Sequence, residues 1–283
     1  AVIIFLRENT NNKVRGRKDI ENLSLPFVGE IPLKTDAGKN KSTHTNKSIV
    51  IKQGSRDIIN EAFRVLRTNL EFMLDAKIEN KASVTLFTSF NPGSGKTFLT
   101  MNTAATFAMK GKRILVIDGD LRRGSASAYL GSQHKGLSDY LGKRESCLDA
   151  LVQENPDIPG FFLLPAGTIP PNPTELLAEP LFKETIEQLR GHYDYILIDC
   201  PPIDIVADTQ IIEKLADRTV FVVRAGLLER DMLSELQRMY DEKRFKNMAL
   251  LLNGTEGGGN RYGYRYGYKY GYKYGYGSKN YYK

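Results

Sequence analysis

The heptapeptide NPGSGKT combines the side chains and the backbone freedom needed to hold a phosphate group. Gly93 and Gly95 let the backbone wrap closely around an anion, and Lys96 stands where its ammonium group reaches terminal phosphates. The Thr97 hydroxyl is a suitable Mg²⁺ ligand. Phe90 occupies the place of the first glycine in the usual pattern, so the alternative is a glycine turn beside a solvated lysine. We predict that a nucleotide is bound by Gly93, Ser94, Gly95, Lys96, Thr97 and Phe98.

Two apolar stretches end in aspartates that could complete such a site. The stretch ILVIDGDLR carries Asp118 and Asp120, and YILIDC reaches Asp199. Mg²⁺ prefers oxygen ligands and commonly takes one or two carboxylates together with water. We therefore expect Thr97, Asp118 and Asp199 to hold the cation, with Asp208 a weaker candidate. Each of these acids, taken alone, could instead be a solvated loop residue.

The elements that position these residues alternate between strand and helix. We predict strands at 83–89, 113–118, 161–167, 193–200, 218–224 and 247–254, and helices at 55–74, 96–110, 181–190 and 229–244. Strands that are apolar without alternation are typical of a parallel sheet covered by helices on both faces. Ligands of such folds bind at the carboxyl ends of the strands. The sequence therefore predicts an α/β fold of the P-loop NTPase type, a three-layer sandwich around a mainly parallel sheet. Upstream, LPFVGEIPL predicts an extended edge segment.

The positive charge of the chain is concentrated at its end. The net charge is +7, but six of the 40 basic side chains lie in residues 261–283, which hold no acid, so the rest has 34 bases against 33 acids. The body of the chain is therefore close to neutral. This distribution argues against a nucleic-acid-binding fold.

The final segment, RYGYRYGYKYGYKYGYGSKNYYK, alternates tyrosine with glycine or a basic residue and contains ten tyrosines. It cannot bury a core, so we predict a flexible tyrosine-rich tail. On composition alone, the tail could be a sticky low-complexity segment or a binder of single-stranded nucleic acid, because tyrosine and arginine stack on bases. Whether the tail has one of these two roles or is instead a substrate depends on the residues upstream.

The motifs, in this order, resemble those of the bacterial tyrosine kinases (BY-kinases). NPGSGKT, ILVIDGDLR and ILIDCPP resemble the Walker A, Walker A′ and Walker B motifs of that family. EAFRVLRTNL resembles its E-x-x-R-x-x-R helix, LPAGTIPPNPTELL a typical loop, and the tyrosine-rich end is another family feature. The likeness covers most of residues 25–283. The related partitioning and division-site ATPases carry a signature lysine early in the loop, where this chain has Asn91.

The resemblance implies an ATP- and Mg²⁺-dependent protein-tyrosine autokinase that phosphorylates the tail of a neighbouring subunit. Lys96 would stabilise charge on the transferred group, and Asp118 would accept the tyrosine proton, with Asp120 as its rival. The phosphoacceptors would be Tyr262, Tyr264, Tyr266, Tyr268, Tyr270, Tyr272, Tyr274, Tyr276, Tyr281 and Tyr282.

The resemblance also implies a cytoplasmic domain of an inner-membrane polysaccharide co-polymerase that acts in capsule or exopolysaccharide synthesis and export. Its partners would be the membrane-embedded portion upstream, the export machinery and a cognate tyrosine phosphatase, and not nucleic acid. The initial AVIIFL would be the cytoplasmic end of a transmembrane helix. Glu61, Arg64 and Arg67, which by themselves indicate a solvated face with an internal ion pair, would dock on a neighbour in a homo-oligomeric ring.

We accordingly divide the chain into three parts. These are a membrane-proximal segment and linker (1–50), a P-loop tyrosine kinase domain (51–255) and the tyrosine-rich tail (256–283). The alternative function is a nucleotide-dependent assembly ATPase of the deviant Walker A type, in which the tail serves as an interaction tether.

Overall fold

The structure is a computed structural model, and it describes residues 12–33, 49–73, 81–131, 135–203, 205 and 207–256. The predicted tail beyond Glu256 lies outside the described residues, together with the ten tyrosines assigned to it. The initial AVIIFL lies outside them as well.

An eight-stranded sheet forms the centre of the fold. Its strands are β1 (Phe27–Pro32), β2 (Ser83–Thr88), β3 (Ile114–Asp118), β4 (Gln153–Glu154), β5 (Phe161–Leu164), β6 (Tyr195–Asp199), β7 (Arg218–Arg224) and β8 (Met248–Thr255). The order across the sheet is β1-β8-β7-β2-β6-β3-β5-β4, and all neighbours are parallel except β4 and β5. The mainly parallel sheet is confirmed, and β1 lies at its edge as LPFVGEIPL predicted.

Helices cover both faces of the sheet. Those in the described residues are α1 (Arg17–Ile20), α2 (Ile58–Met73), α3 (Lys96–Ala108), α4 (Leu137–Leu141), α5 (Pro173–Ala178), α6 (Pro180–Arg190), α7 (Asp208–Glu213) and α8 (Met232–Asp241). Two short 3₁₀ helices span Ser127–Leu130 and Asp149–Leu151. The four longest helices coincide with the predicted ones, whereas the sequence analysis did not predict the four short ones.

The apolar strand residues divide between the two faces of the sheet because successive side chains point in opposite directions. Val116 and Leu197 join a buried cluster with α2 and α3 on one face. Ile117 and Ile198 join a second cluster with α6 on the other face, and Val223 joins a third with α8. The fold is therefore the predicted three-layer sandwich.

Residues 12–33 pack with this sheet, although the domain division assigns them to the membrane-proximal segment. β1 pairs with β8, Lys13 forms an antiparallel bridge with Glu229, and Val14 is fully buried. The described part of 1–50 thus extends the same fold, while the boundaries of the division remain a prediction. No helix in the described ranges is both long enough and apolar enough to cross a membrane.

Candidate nucleotide-binding site

The segment between β2 and α3 forms the loop that the heptapeptide predicted. Gly95 is the N-cap of α3 and has φ +89°, in the left-handed region that favours glycine. Lys96 and Thr97 open the first turn of the helix. A helix N-terminus presents unpaired N–H groups and the positive end of the helix dipole, so this loop is suited to binding phosphate.

Asn253, near the end of β8, stabilises the loop through its side-chain amide. Its Nδ2 atom donates a hydrogen bond of 2.8 Å to the Ser94 carbonyl oxygen, and the residue is only 4% exposed. A Cβ atom on Gly95 would lie 2.3 Å from the same Nδ2 atom. Asn253 is not among the predicted site residues, and its only signal in the sequence is its place at the carboxyl end of a parallel strand.

Phe90, which replaces the first glycine of the usual pattern, is turned into the core. It is 2% exposed and packs edge-on against Phe221, with ring centroids 4.8 Å apart. The hydroxyls of Ser89 and Ser94 each donate a hydrogen bond of 2.8 Å to the Asn91 carbonyl oxygen. An aromatic contact and two hydrogen bonds therefore hold this form of the loop.

Lys96 extends its ammonium group beside the loop. The Nζ atom donates to Ser89 Oγ at 3.1 Å, and the residue is only 8% exposed. Burial lowers the pKa of Lys96, and the negative charges of Asp199 and Asp120 oppose that shift. A poorly solvated cation in this position has few competing water contacts, which favours binding of an anion.

Asp118 and Asp199 lie side by side because they are register partners at the ends of β3 and β6. Thr97 Oγ1 donates to Asp199 Oδ2 at 2.6 Å. The backbone N–H and the hydroxyl of Ser127 donate to Asp118 Oδ2 at 2.8 and 2.7 Å. In each aspartate, Oδ1 is buried and has no hydrogen-bond partner among the described residues.

These two carboxylates fit a magnesium ion. Burial raises the pKa of Asp118 to about 6, and burial with the neighbouring charge of Asp118 raises the pKa of Asp199. Buried carboxylate oxygens beside the Thr97 hydroxyl are the hard donors that Mg²⁺ prefers, and a bound cation would favour their charged forms. The described part of the chain has no group of three or more His, Cys, Asp or Glu placed to hold a metal. Two carboxylates and one hydroxyl leave coordination positions for phosphate and water, which Mg²⁺ commonly keeps as ligands.

The segment after β3 places one carboxylate beside the site and one arginine away from it. Asp120 is 7% exposed, and its Oδ1 accepts the backbone N–H groups of Arg122 (3.3 Å) and Arg123 (3.2 Å). The Arg122 side chain instead donates to Asp208 Oδ2 at 3.0 Å and to Thr174 Oγ1 at 2.9 Å. Asp208, the weaker cation candidate, is fully buried against an arginine, and this pair ties the segment to the start of α7.

The loop and the strand ends enclose a groove of about 310 Å³ at the carboxyl edge of the sheet. The predicted site residues that line it are Gly93, Gly95, Lys96, Thr97, Phe98, Asp120 and Asp199. Ser94 and Asp118 do not line the groove and are buried, at 3% and 0% exposure. The structure therefore brings the predicted phosphate loop, Asp120 and Asp199 to one groove, with Asp118 buried beside Asp199.

The three residues predicted for subunit contact lie on α2, outside the groove. Arg64 pairs with Glu61, and its Nη2 atom donates to the Ser55 carbonyl oxygen at 2.5 Å. Arg67 is turned toward α3, where its Nη1 atom donates to the Thr106 carbonyl oxygen at 3.3 Å. Arg67 therefore contributes to packing within the chain, which the sequence analysis did not foresee.

Comparison with known proteins places this site in a family. The AAA domain profile matches residues 83–244, more than half of the chain. The chain is 32% identical over 219 residues to the tyrosine-protein kinase YwqD of Bacillus subtilis, a match that spans 77% of this chain and 90% of that protein. It is 33% identical over 262 residues to the tyrosine-protein kinase wzc of Salmonella typhimurium, a match that spans 88% of this chain but 35% of that longer protein.

A solved structure shows the same architecture. The kinase domain of the Escherichia coli tyrosine kinase ETK superimposes with a TM-score of 0.74 at 29% identity, covering 93% of this chain and all of that domain. Sequence, fold and site geometry agree, and the chain belongs to the bacterial tyrosine-protein kinases, built on an AAA domain.

Proposed function

We propose that this chain transfers the γ-phosphoryl group of ATP to tyrosines in the tail of a neighbouring subunit. The observation that carries the proposal is the contact between Thr97 and Asp199, 2.6 Å long, beside the buried Lys96 at the helix N-terminus. This arrangement fits a triphosphate with Mg²⁺. The relatives named as tyrosine-protein kinases support a phenol as the acceptor.

The reaction needs positioning and charge stabilisation more than covalent chemistry. The tyrosine Oη attacks the γ-phosphorus, the bond to the β-phosphate oxygen breaks, and ADP leaves with that bond's electron pair. Lys96 stabilises the charge on the transferred group, while Thr97 and Asp199 would hold the cation, joined by Asp118 if Asp120 is the proton acceptor. The phenolic proton passes to Asp118 or Asp120, and the products are ADP, phosphotyrosine and a proton. Asp120 lines the groove, whereas Asp118 offers a buried and unpaired Oδ1.

The tail suits this site as a substrate. Residues 261–283 of the tail carry six basic side chains and no acid, so they are attracted to a groove that contains carboxylates and nucleotide phosphates. Each phosphate that is added carries about −1.5 to −2 charges, so roughly three or four modifications would cancel the positive charge of the tail. We infer that a heavily modified tail leaves the neighbouring site and weakens the ring.

Helix α2 supports assembly of such a ring. Ile58 and Phe72 are 75% and 71% exposed, and Val65 lies between them at 38%. Residues seven apart fall on nearly the same side of a helix, so the three form an apolar stripe beside Glu61. A stripe of this kind is suited to the surface of another subunit. In this arrangement Glu61 and Arg64 border the contact, whereas Arg67, which donates to Thr106 on α3, lies on the opposite side of the helix.

The setting of the reaction is proposed from the relatives. The chain spans about a third of the wzc kinase, so it corresponds to one part of that protein. We propose a cytoplasmic domain of an inner-membrane co-polymerase that regulates capsule or exopolysaccharide synthesis. The membrane portion, the export machinery and a cognate phosphatase would be its partners.

Transfer between subunits can be tested with the 283-residue chain, which carries both the site and the tail. The Lys96→Met variant is prepared with ¹⁵N, mixed with unlabelled wild type and supplied with Mg-ATP. Mass spectrometry then assigns each phosphorylated tail peptide to its parent chain. The proposal predicts phosphate on ¹⁵N peptides in the mixture and none when the variant is incubated alone. Phosphate confined to unlabelled peptides would contradict transfer between subunits, and ATP hydrolysis without any tail phosphate would indicate an assembly ATPase.

A further inference from the structure

Two consecutive arginines after β3 have different surroundings. The Arg122 guanidinium is occupied by Asp208 and Thr174. Arg123 lines the nucleotide groove, and its side chain is exposed. Among the described residues, its guanidinium has neither a hydrogen bond nor an ion pair. Arg122 therefore holds the local structure together, whereas Arg123 is available to a ligand.

The sheet order places Arg123 opposite the phosphate loop. Strand β6 lies between β2 and β3, so the segment carrying Lys96 and the segment carrying Arg123 leave the sheet on either side of Asp199. The Arg123 backbone is fixed by Asp120 Oδ1, which accepts its N–H at 3.2 Å. A ligand held by the loop and by Asp199 would thus lie between two cationic side chains.

The charge of Arg123 acts within this groove. Burial is the main cause that raises the pKa of Asp120, and the positive charge of Arg123 opposes it. Burial is also the main cause that lowers the pKa of Lys96, and the same charge adds to that shift. A guanidinium presents five donors in a planar fork that matches phosphate oxygens, and it keeps its charge throughout the reaction.

We propose that Arg123 binds the γ-phosphoryl group of ATP and stabilises the charge that develops on it during transfer. This assignment rests on the proposed function, because it names a further catalytic residue of the same site. Lys96 approaches the terminal phosphate from the helix side and Arg123 from the β3 side. The contact would also make the site prefer a triphosphate to a diphosphate.

Nucleotide binding tests the contact without relying on transfer. Affinities of Mg-ADP and of Mg-AMP-PNP, a triphosphate that is not hydrolysed, are measured by calorimetry for the wild type and for Arg123→Ala. Loss of one charge-assisted contact should weaken AMP-PNP binding by roughly 10-fold or more and leave ADP affinity unchanged. Tail phosphorylation by Arg123→Ala should fall by about 100-fold, the loss typical of one transition-state donor. Arg123→Lys keeps the positive charge but lacks the planar fork of donors. Its AMP-PNP affinity and its tail phosphorylation should lie between those of the wild type and those of Arg123→Ala.

Controls separate this assignment from a fold defect and from failure of the proposed function. Arg238→Ala removes an exposed arginine on α8, and it should match the wild type in all three measurements. If Arg123→Ala weakens ADP and AMP-PNP equally, or neither, the assignment to the γ-phosphoryl group is wrong. If the wild type never phosphorylates its tail, the proposed function fails, and the comparison of AMP-PNP with ADP still decides whether Arg123 contacts the terminal phosphate. Thermal unfolding of each variant reports on folding.

Discussion

Gly95→Ala, in the phosphate loop, should lower the free energy of unfolding more than Gly111→Ala, the same change near the other end of helix α3. Gly95 has φ +89°, and a side chain in the left-handed region costs about 1–2 kcal/mol. The new Cβ atom would also lie 2.3 Å from Asn253 Nδ2. Asn253 must then move, which breaks its buried hydrogen bond to Ser94 at a cost of about 1–3 kcal/mol. The expected loss in the free energy of unfolding is about 2–5 kcal/mol.

Gly111→Ala is the matched control. Gly111 follows the C-terminus of α3 with φ +82°, and a Cβ atom there would meet no atom within 4 Å. The control should therefore show the backbone cost alone, about 1–2 kcal/mol, and it should keep nucleotide affinity. Urea unfolding followed by circular dichroism measures both losses, provided that the slopes agree. Equal destabilisation by the two variants would refute the predicted clash between an alanine Cβ atom at position 95 and Asn253.

A double variant isolates that contact. Asn253→Ala removes the amide that a side chain at Gly95 would strike, and it also removes the hydrogen bond to Ser94. Gly95→Ala should therefore cost less in the Asn253→Ala background than in the wild type, because the shared loss is counted once. Strict additivity of the two changes would contradict the geometry.

Three further changes test other parts of the structure. Arg190→Met should destabilise the fold by about 3 kcal/mol because it leaves Asp217 without its guanidinium partner at 2.6 Å. Urea unfolding measures this loss in the free energy of unfolding, and a loss near zero would contradict the role of Arg190. Asp208→Asn should cost about 1–3 kcal/mol by weakening the bond to Arg122, and an unchanged thermal midpoint would show that the pair is dispensable. Phe72→Asp should leave monomer stability within about 0.5 kcal/mol, since the ring is exposed, and should shift the oligomers seen by native mass spectrometry to smaller sizes. An unchanged distribution would rule out the α2 stripe as the ring contact.

The sequence was sufficient to predict the parts of the fold that depend on local signals. Continuous apolar runs predicted the long strands, and their ends at Asp118 and Asp199 followed from the change to polar residues. The phosphate loop could be predicted because Gly93 to Thr97 carry both the turn and the ligands within a few positions. Parallel pairing then brought the two aspartates together without further information.

Residues that act through distant contacts could not be predicted. Asn253 supports a loop that precedes it by more than 150 positions, and only the sheet order brings the two together. Arg122 and Arg123 are adjacent and chemically identical, and their different surroundings depend on where Asp208 lies. Arg67 looked like a surface residue until the packing of α2 on α3 showed its bond to Thr106.

The central claim is that Lys96 serves the transfer of phosphate from ATP to the tail tyrosines. Purified wild type and Lys96→Met are incubated with Mg-ATP, and phosphotyrosine in residues 261–283 is mapped by mass spectrometry. We predict several phosphorylated tyrosines in the wild type and none in Lys96→Met. A tail that stays unmodified in the wild type while ATP binds, or one that is modified equally in both proteins, would contradict it.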